Sequence, residues 1–193
     1  NVLPFFSRRI GLGADGSPVP ILGGARVSGQ VNRYDIGLLT MKTERQGSTP
    51  SNNYFVGRIK RNLRTNSWVG ALTTNRGSSS AGHYNRVYGA DARFQFDRLE
   101  MDTYVLKSDT PGRTGDNKAK RFAATWRDDE LNISTAYNSV QANFNPEVGF
   151  IRRGNSTDYS GNFAYDPLMR RSSTIRNLRF ETGVTYVEGS SSG

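Results

Sequence analysis

Leu99-Glu100-Met101-Asp102-Thr103-Tyr104-Val105 alternates residue by residue: Leu99, Met101, Thr103 and Val105 fall on one side, Glu100, Asp102 and Tyr104 on the other. Successive side chains of an extended chain point to opposite faces, so the stretch reads as a strand with one apolar and one polar face. The pattern extends outward in both directions. Ala25, Val27, Gly29 and Val31 oppose Arg26, Ser28 and Gln30, and Leu131, Ile133, Thr135 and Tyr137 oppose Asn132, Ser134, Ala136 and Asn138. Tyr159, Gly161, Phe163 and Tyr165 oppose Asp158, Ser160 and Asn162, and Leu178, Phe180, Thr182, Val184 and Tyr186 oppose Asn177, Arg179 and Glu181.

Short polar turns at Val31-Asn32-Arg33-Tyr34, Leu63-Arg64-Thr65-Asn66, Asp97-Arg98 and Asp128-Asp129 punctuate these segments roughly every 32 residues. That repeat fits two bilayer-spanning strands of about 9–11 residues, one tight turn and one longer loop. The reading is an all-β, antiparallel up-and-down transmembrane β-barrel. Ten strands are expected, at 21–31, 33–44, 53–63, 67–76, 84–97, 98–108, 117–127, 130–141, 156–166 and 175–188. A segment at 2–10 and a Gly/Pro loop to Pro20 precede them. Outer-membrane barrels keep short turns on the periplasmic side and long loops outside, which puts Asn32, Arg64, Asp97 and Asp128 at the periplasmic end.

Ten strands plus the segment at 2–10 give an odd possible total, whereas bacterial single-chain barrels have even numbers. The expectation is therefore an incomplete portion of a larger barrel, an open sheet with unpaired edges near 2–10 and 179–188. The whole chain, 1–193, reads as one domain, with a flexible Gly/Ser tail at 189–193. No secretory signal opens it, so export requires one upstream, and the chain reads as a piece of a longer protein.

The composition is 35% hydrophobic with a mean hydropathy of −0.64, and no apolar run approaches the roughly 18 residues of a spanning helix. A barrel tolerates such polarity because only alternate residues meet lipid. The lipid-facing set is Leu99, Met101, Val105, Phe122, Ala124, Ile133, Phe163, Phe180 and Val184. Cysteine is absent, which removes disulfides and thiolate chemistry. The net charge is +9 and the pI about 10.1, yet the arginines are scattered through strands rather than clustered, so nucleic acid is not the expected partner. Arg26, Arg58, Lys60, Arg93, Arg121 and Arg179 are candidate lumen cations, with Asp35, Asp91, Glu100, Asp102 and Glu181 as their partners. A cationic excess among them predicts an anion-preferring pore.

Tyr34, Trp68, Phe96 and Trp126 lie close to short turns and form a candidate girdle at the head-group level. The connection at 142–155 is too apolar for a solvated linker: Phe144, Asn145, Pro146 and Phe150 mark it as a candidate loop or plug folded into the lumen. The alternative is a simple extension of the two flanking strands. Gly11-x-Gly13-x-x-Gly16 has the spacing of a dinucleotide-binding loop but runs into Ser17-Pro18-Val19-Pro20 instead of a helix, so it reads as a plain loop. His83 is the lone histidine, which leaves no triad and no multi-histidine metal site. Asp128-Asp129-Glu130 reads as a turn rather than a carboxylate pair. No cofactor, metal site or catalytic residue is expected.

Three stretches carry a family resemblance: Phe5-Phe6-Ser7-Arg8-Arg9-Ile10-Gly11, Pro20-Ile21-Leu22-Gly23-Gly24-Ala25-Arg26-Val27-Ser28-Gly29, and Asn143-Phe144-Asn145-Pro146-Glu147-Val148-Gly149-Phe150-Ile151-Arg152-Arg153. The chain resembles, over essentially its whole length, the outer-membrane barrel family catalogued as domain of unknown function 5916. The resemblance implies a bacterial outer-membrane location and outer-membrane lipid as partner. It also implies a glycan partner held by an N-terminal module similar to family-9 carbohydrate-binding domains. That module, the signal and a terminal aromatic strand are not in this sequence. The expected role is thus a membrane anchor or passive conduit of a carbohydrate-associated protein, not an enzyme. The alternatives are a soluble extracellular or periplasmic β-sheet module that binds glycans, and an enzymatic barrel of lipase or protease type.

Overall fold

The computed structural model describes residues 2–13, 15–80, 82–168 and 178–189. The strands in chain order are β1 (Val2–Leu3), β2 (Ile21–Val31), β3 (Tyr34–Thr43), β4 (Asn52–Arg64), β5 (Ser67–Ser78), β6 (Tyr84–Phe96), β7 (Leu99–Asp109), β8 (Lys118–Arg127), β9 (Leu131–Val140), β10 (Phe150–Ile151), β11 (Ser156–Tyr165) and β12 (Phe180–Gly189). Ten of them form one antiparallel meander in the order β2-β3-β4-β5-β6-β7-β8-β9-β11-β12, every neighbour in sequence being a neighbour in the sheet except for the excursion through β10. The chain is all-β. Among the described residues the one helical element is a single 3-10 turn, Ser7–Arg9, and no helix is long and apolar enough to cross a membrane.

Alternation located the strands because each side chain in this sheet has only one of two places to go, and a slip of one residue would move a whole strand's apolar set to the wrong face. Observed limits fall within two residues of the expected ones, except that β12 is described from Phe180. The expected strand start at 175 and most of the tail, 190–193, lie outside the described residues. The tight turns are set by residues that accept left-handed backbone at small cost: Asn32, Asn66 and Asp97 sit at φ of 53°, 58° and 49°. At the fourth turn the Asp128 carboxylate accepts the Asp129 N–H at 2.6 Å while the Asp128 N–H donates to the Leu131 carbonyl at 2.7 Å, so these acidic residues form the turn itself.

One expectation is corrected. The sheet is open, as expected: β2 and β12 are its edges, unpaired with each other and exposed along their whole lengths. The β12 edge was expected, but the segment at 2–10 is not the other edge. Val2 and Leu3 pair with Ile151 and Phe150, and Val2 is buried at 6% exposure. An apolar N-terminal segment gains more by covering apolar side chains on the sheet than by extending the edge, where both its faces would stay exposed.

Candidate functional site: the polar face and its cap

Register divides the sheet into two faces. On one, Val31, Tyr34 and Arg61 are level with one another, as are Phe96, Leu99, Trp126, Ile133, Phe163 and Thr182. All nine residues expected to face lipid share it, and most of the large ones stay open: Val105, Phe122, Ile133, Phe163, Phe180 and Val184 are 41% to 70% exposed, while Leu99 and Met101 are half-buried. Tyr34, Phe96 and Trp126 ring its turn-side border, exposed by 39% to 45%.

Trp68 does not join that ring, which corrects the expected girdle. It lies opposite Asn62 and Arg93 on the other face, with the Arg58 guanidinium 5.4 Å and the Lys60 ammonium 5.2 Å from its ring centroid. Nearness to a turn fixes a residue's height in the sheet, but only register fixes its face. Here the irregularity between Asn62 and Arg64 shifts parity just before Trp68.

The second face holds the charged set. Arg58 makes a bidentate ion pair with Asp91, both contacts at 2.6 Å, with the two side chains 28% and 18% exposed. Parallel charge-assisted bonds of this type contribute about 1–2 kcal/mol after discounting for the remaining solvent contact. Lys60 lies 3.6 Å from Asp35, which also accepts from the Asn62 side-chain amide at 3.1 Å. Arg93 pairs with Glu100 and lies 4.0 Å from Asp102. Arg121 donates to Asn138 at 2.7 Å, and Arg179 to Glu181 at 3.2 Å just before β12. Arg26 shares this face, opposite Leu39, and remains exposed.

The cationic excess expected on this face is slight. Arg26, Arg58, Lys60, Arg76, Arg93 and Arg121, with Arg127 at the end of β8, are nearly balanced by Asp35, Asp91, Glu100, Asp102, Asp158 and Glu181. The surplus lies on the outer face and in the connections.

Towards the long loops the second face turns apolar, and a cap covers it there. Val87, Leu106, Ala119 and Val140 bury against Val2 and Phe144, with Leu72, Tyr104 and Ile151 at the margin. A neighbouring cluster packs Tyr54 of β4 against Ile10 and Val148, flanked by Phe5, Leu39, Met41 and Val56. The cap is thus two pieces of chain, the N-terminal segment and the connection after β9, joined by the β1–β10 pair and by the Phe6 N–H donating to the Val148 carbonyl at 2.8 Å. Burying side chains such as Val2, Phe144 and Val148 contributes about 1.5–3 kcal/mol each. Of the candidate loop residues, Phe144 and Pro146 are buried, Asn145 is half-buried, and Phe150 is exposed beside Phe6, ring centroids 6.4 Å apart.

Polar contacts fix where the cap sits. Asn85 of β6, fully buried, donates to the Asn145 carbonyl at 2.7 Å and accepts the Glu147 N–H at 3.1 Å, reading the loop backbone on both sides of Pro146. Ser108 of β7 accepts the Asn145 N–H at 3.0 Å. Arg76 of β5 reaches Glu147 at 2.5 Å. Gly149 is required sterically, since a Cβ there would strike the Leu3 and Pro4 carbonyl oxygens. An open cleft of about 450 Å³ remains beside the cap between Arg9, Tyr54, Arg76 and Glu147.

Sequence reasoning missed Asn85, Ser108, Arg76 and Glu147. The available signal was small: Asn85 and Ser108 are polar residues on the inward parity, like many others, and their partners are sixty and thirty-seven residues away in the chain. His83 closes the turn between β5 and β6, its carbonyl accepting from Ser78 at 3.0 Å, and the glycine-rich stretch is a loop with Gly11 and Gly16 at φ of 86° and 82°. No protein-family model matches the chain, and comparison with the curated proteins and with the solved structures yields no match.

Proposed function

We propose that this chain is part of a bacterial outer-membrane β-barrel, acting as a membrane anchor or passive conduit rather than an enzyme. The observation that carries the reading is the uninterrupted apolar outer face. Nine gaps of about 4.8 Å make a ten-stranded face roughly 43 Å wide, and an apolar band about 25 Å tall across it covers roughly 1,000 Å². The largest patch on an ordinary soluble monomer is roughly 300–600 Å². Lipid is the solvent in which such a face has no penalty.

Strand length supports the same reading. The eleven residues of β7 at about 3.4 Å each reach roughly 37 Å, which a tilt of roughly 45° projects to about 26 Å, the height of the hydrocarbon layer. The open edges at β2 and β12 fit a portion of a larger barrel, whose further strands would satisfy them. The resemblance to the family of domain of unknown function 5916 adds the carbohydrate association, with a glycan bound by a separate N-terminal module. The cap on the inner face is then a plug at the extracellular end.

The test is refolding of the full-length protein in the presence of phosphatidylcholine vesicles, followed by flotation and external protease. Expected are co-flotation and protection of the strands, with cleavage confined to the connections. A protein that stays in the aqueous phase, folded and monomeric without detergent, would refute the reading in favour of a soluble sheet.

A further inference from the structure

We infer that the outer face carries a binding site for the phosphate of an anionic lipid headgroup, at the long-loop border of the apolar band; the inference rests on the membrane reading above. Lys107 of β7 and Lys118 of β8 are direct partners in the ladder, and Lys120 follows on the same face of β8 opposite Val105. All three are exposed. Like charges placed opposite one another across two strands repel, with Cβ atoms only about 5 Å apart. Among the described residues none of the three lysines has an ion-pair partner.

On the other side of β7, Tyr88 stands opposite Lys107 and Arg86 opposite Asp109, among the described residues the one carboxylate that β6, β7 and β8 present on this part of the face. Asp109 accepts from the Tyr88 hydroxyl at 3.4 Å, while the Arg86 guanidinium lies over the Tyr84 ring at 4.6 Å. Four cations thus meet one carboxylate. A charge arrangement that repels itself in the free protein is complementary to a compact anion with several acceptor oxygens.

Position selects the lipid as the source of that anion. Directly towards the short turns the same face continues as Val105, Phe122, Met101 and Ala124, the apolar band itself. A ligand whose headgroup meets the lysines therefore lays its acyl chains along those side chains. The opposite border of the band carries the aromatics Tyr34, Phe96 and Trp126, with the Arg61 guanidinium stacked over Tyr34 at 5.9 Å, so the cluster of cations marks one leaflet only.

The experiment is native mass spectrometry of the full-length protein released from micelles containing equal amounts of phosphatidylglycerol and phosphatidylcholine. The wild type should retain phosphatidylglycerol about tenfold over phosphatidylcholine at 0.1 M salt and lose that preference at 1 M, where the screening length falls to about 3 Å. The K107Q/K118Q/K120Q variant should lose the preference at low salt, while Arg61→Gln, level with Tyr34 at the other border of the same face, should keep it. Equal retention of both lipids by the wild type, or an undiminished preference in the triple variant, overturns the proposal. Displacement of the lipid by millimolar glycerol phosphate overturns the assignment to a lipid and leaves a soluble phosphate as the ligand. Flotation with pure phosphatidylcholine vesicles separates the two readings: insertion without lipid preference defeats this proposal alone, and no insertion defeats both.

Discussion

Replacing Ala92 by arginine should destabilise the inserted protein far more than replacing Ala123. Ala92 of β6 is level with Val69, Thr103 and Phe122 on the apolar face, midway between the Trp126 border and the lysine border, so it lies at the middle of the band. Ala123 lies at comparable height but on the polar face, between Asp102 and Ala136, where a new guanidinium meets a carboxylate. Arginine on the lipid face at the midplane costs roughly 2–4 kcal/mol, and on the lumen side little. The first figure is a shift of about 30- to 700-fold in the folding equilibrium. The assay is urea unfolding in phosphatidylcholine vesicles, followed by tryptophan fluorescence, with Phe96→Arg as a depth control at the border that should cost about 0–1 kcal/mol. If Ala123→Arg proves the costlier change, or Ala92 and Phe96 respond alike, the outer face does not meet a hydrocarbon layer.

Asn85→Ala should free the cap: it removes two bonds to the loop backbone and one to Thr110, at about 1–3 kcal/mol for buried groups left without partners. Hydrogen exchange at residues 144–151 should accelerate at least tenfold while β7 and β8 stay protected; unchanged protection would show that apolar packing alone holds the cap. A double-mutant cycle on Arg58→Ala and Asp91→Ala should return a coupling of about 1–2 kcal/mol, and a value near zero would make the pair a solvent-screened contact. In the loop before β2, the Ser17 hydroxyl and N–H donate to the Asp15 carboxylate at 2.6 and 3.0 Å and hold its pKa below the ordinary 3.8. A depressed carboxylate pKa stabilises the folded turn above the unfolded value and loses that effect as the pH falls through the folded one. An NMR titration should therefore find Asp15 below 3.8 and Ser17→Ala moving it back up.

The sheet was legible because strand periodicity needs only local information: the Leu99–Val105 alternation names both faces, and the Asn and Asp of the turns name the ends. Trp68 shows where that stops. Its face depends on an irregularity two residues into the preceding hairpin arm, which no alternation count within β5 contains. The cap was half legible, since the apolar content of 142–155 says that the loop must bury something but not what it buries against. Its partner, the N-terminal segment, is contributed from about 150 residues away, and Val2 carries no mark that separates it from an edge-strand residue. Alternation likewise placed Arg26, Arg58, Lys60, Arg93 and Arg121 on the polar face, whereas Lys107, Lys118 and Lys120 fall on the apolar parity and were not read as a cluster.

Cap and edges impose opposite demands on the same sheet. The cap finds its polar partners inside the fold: Asn85 and Ser108 bond the loop backbone, and Arg76 pairs with Glu147. The edges cannot do so. β2 and β12 each present a row of backbone donors and acceptors outside any ladder, and in hydrocarbon every such group costs several kcal/mol. In the membrane setting proposed above, both edges therefore need partners, and further strands of a larger barrel would supply them without changing a residue of the two faces.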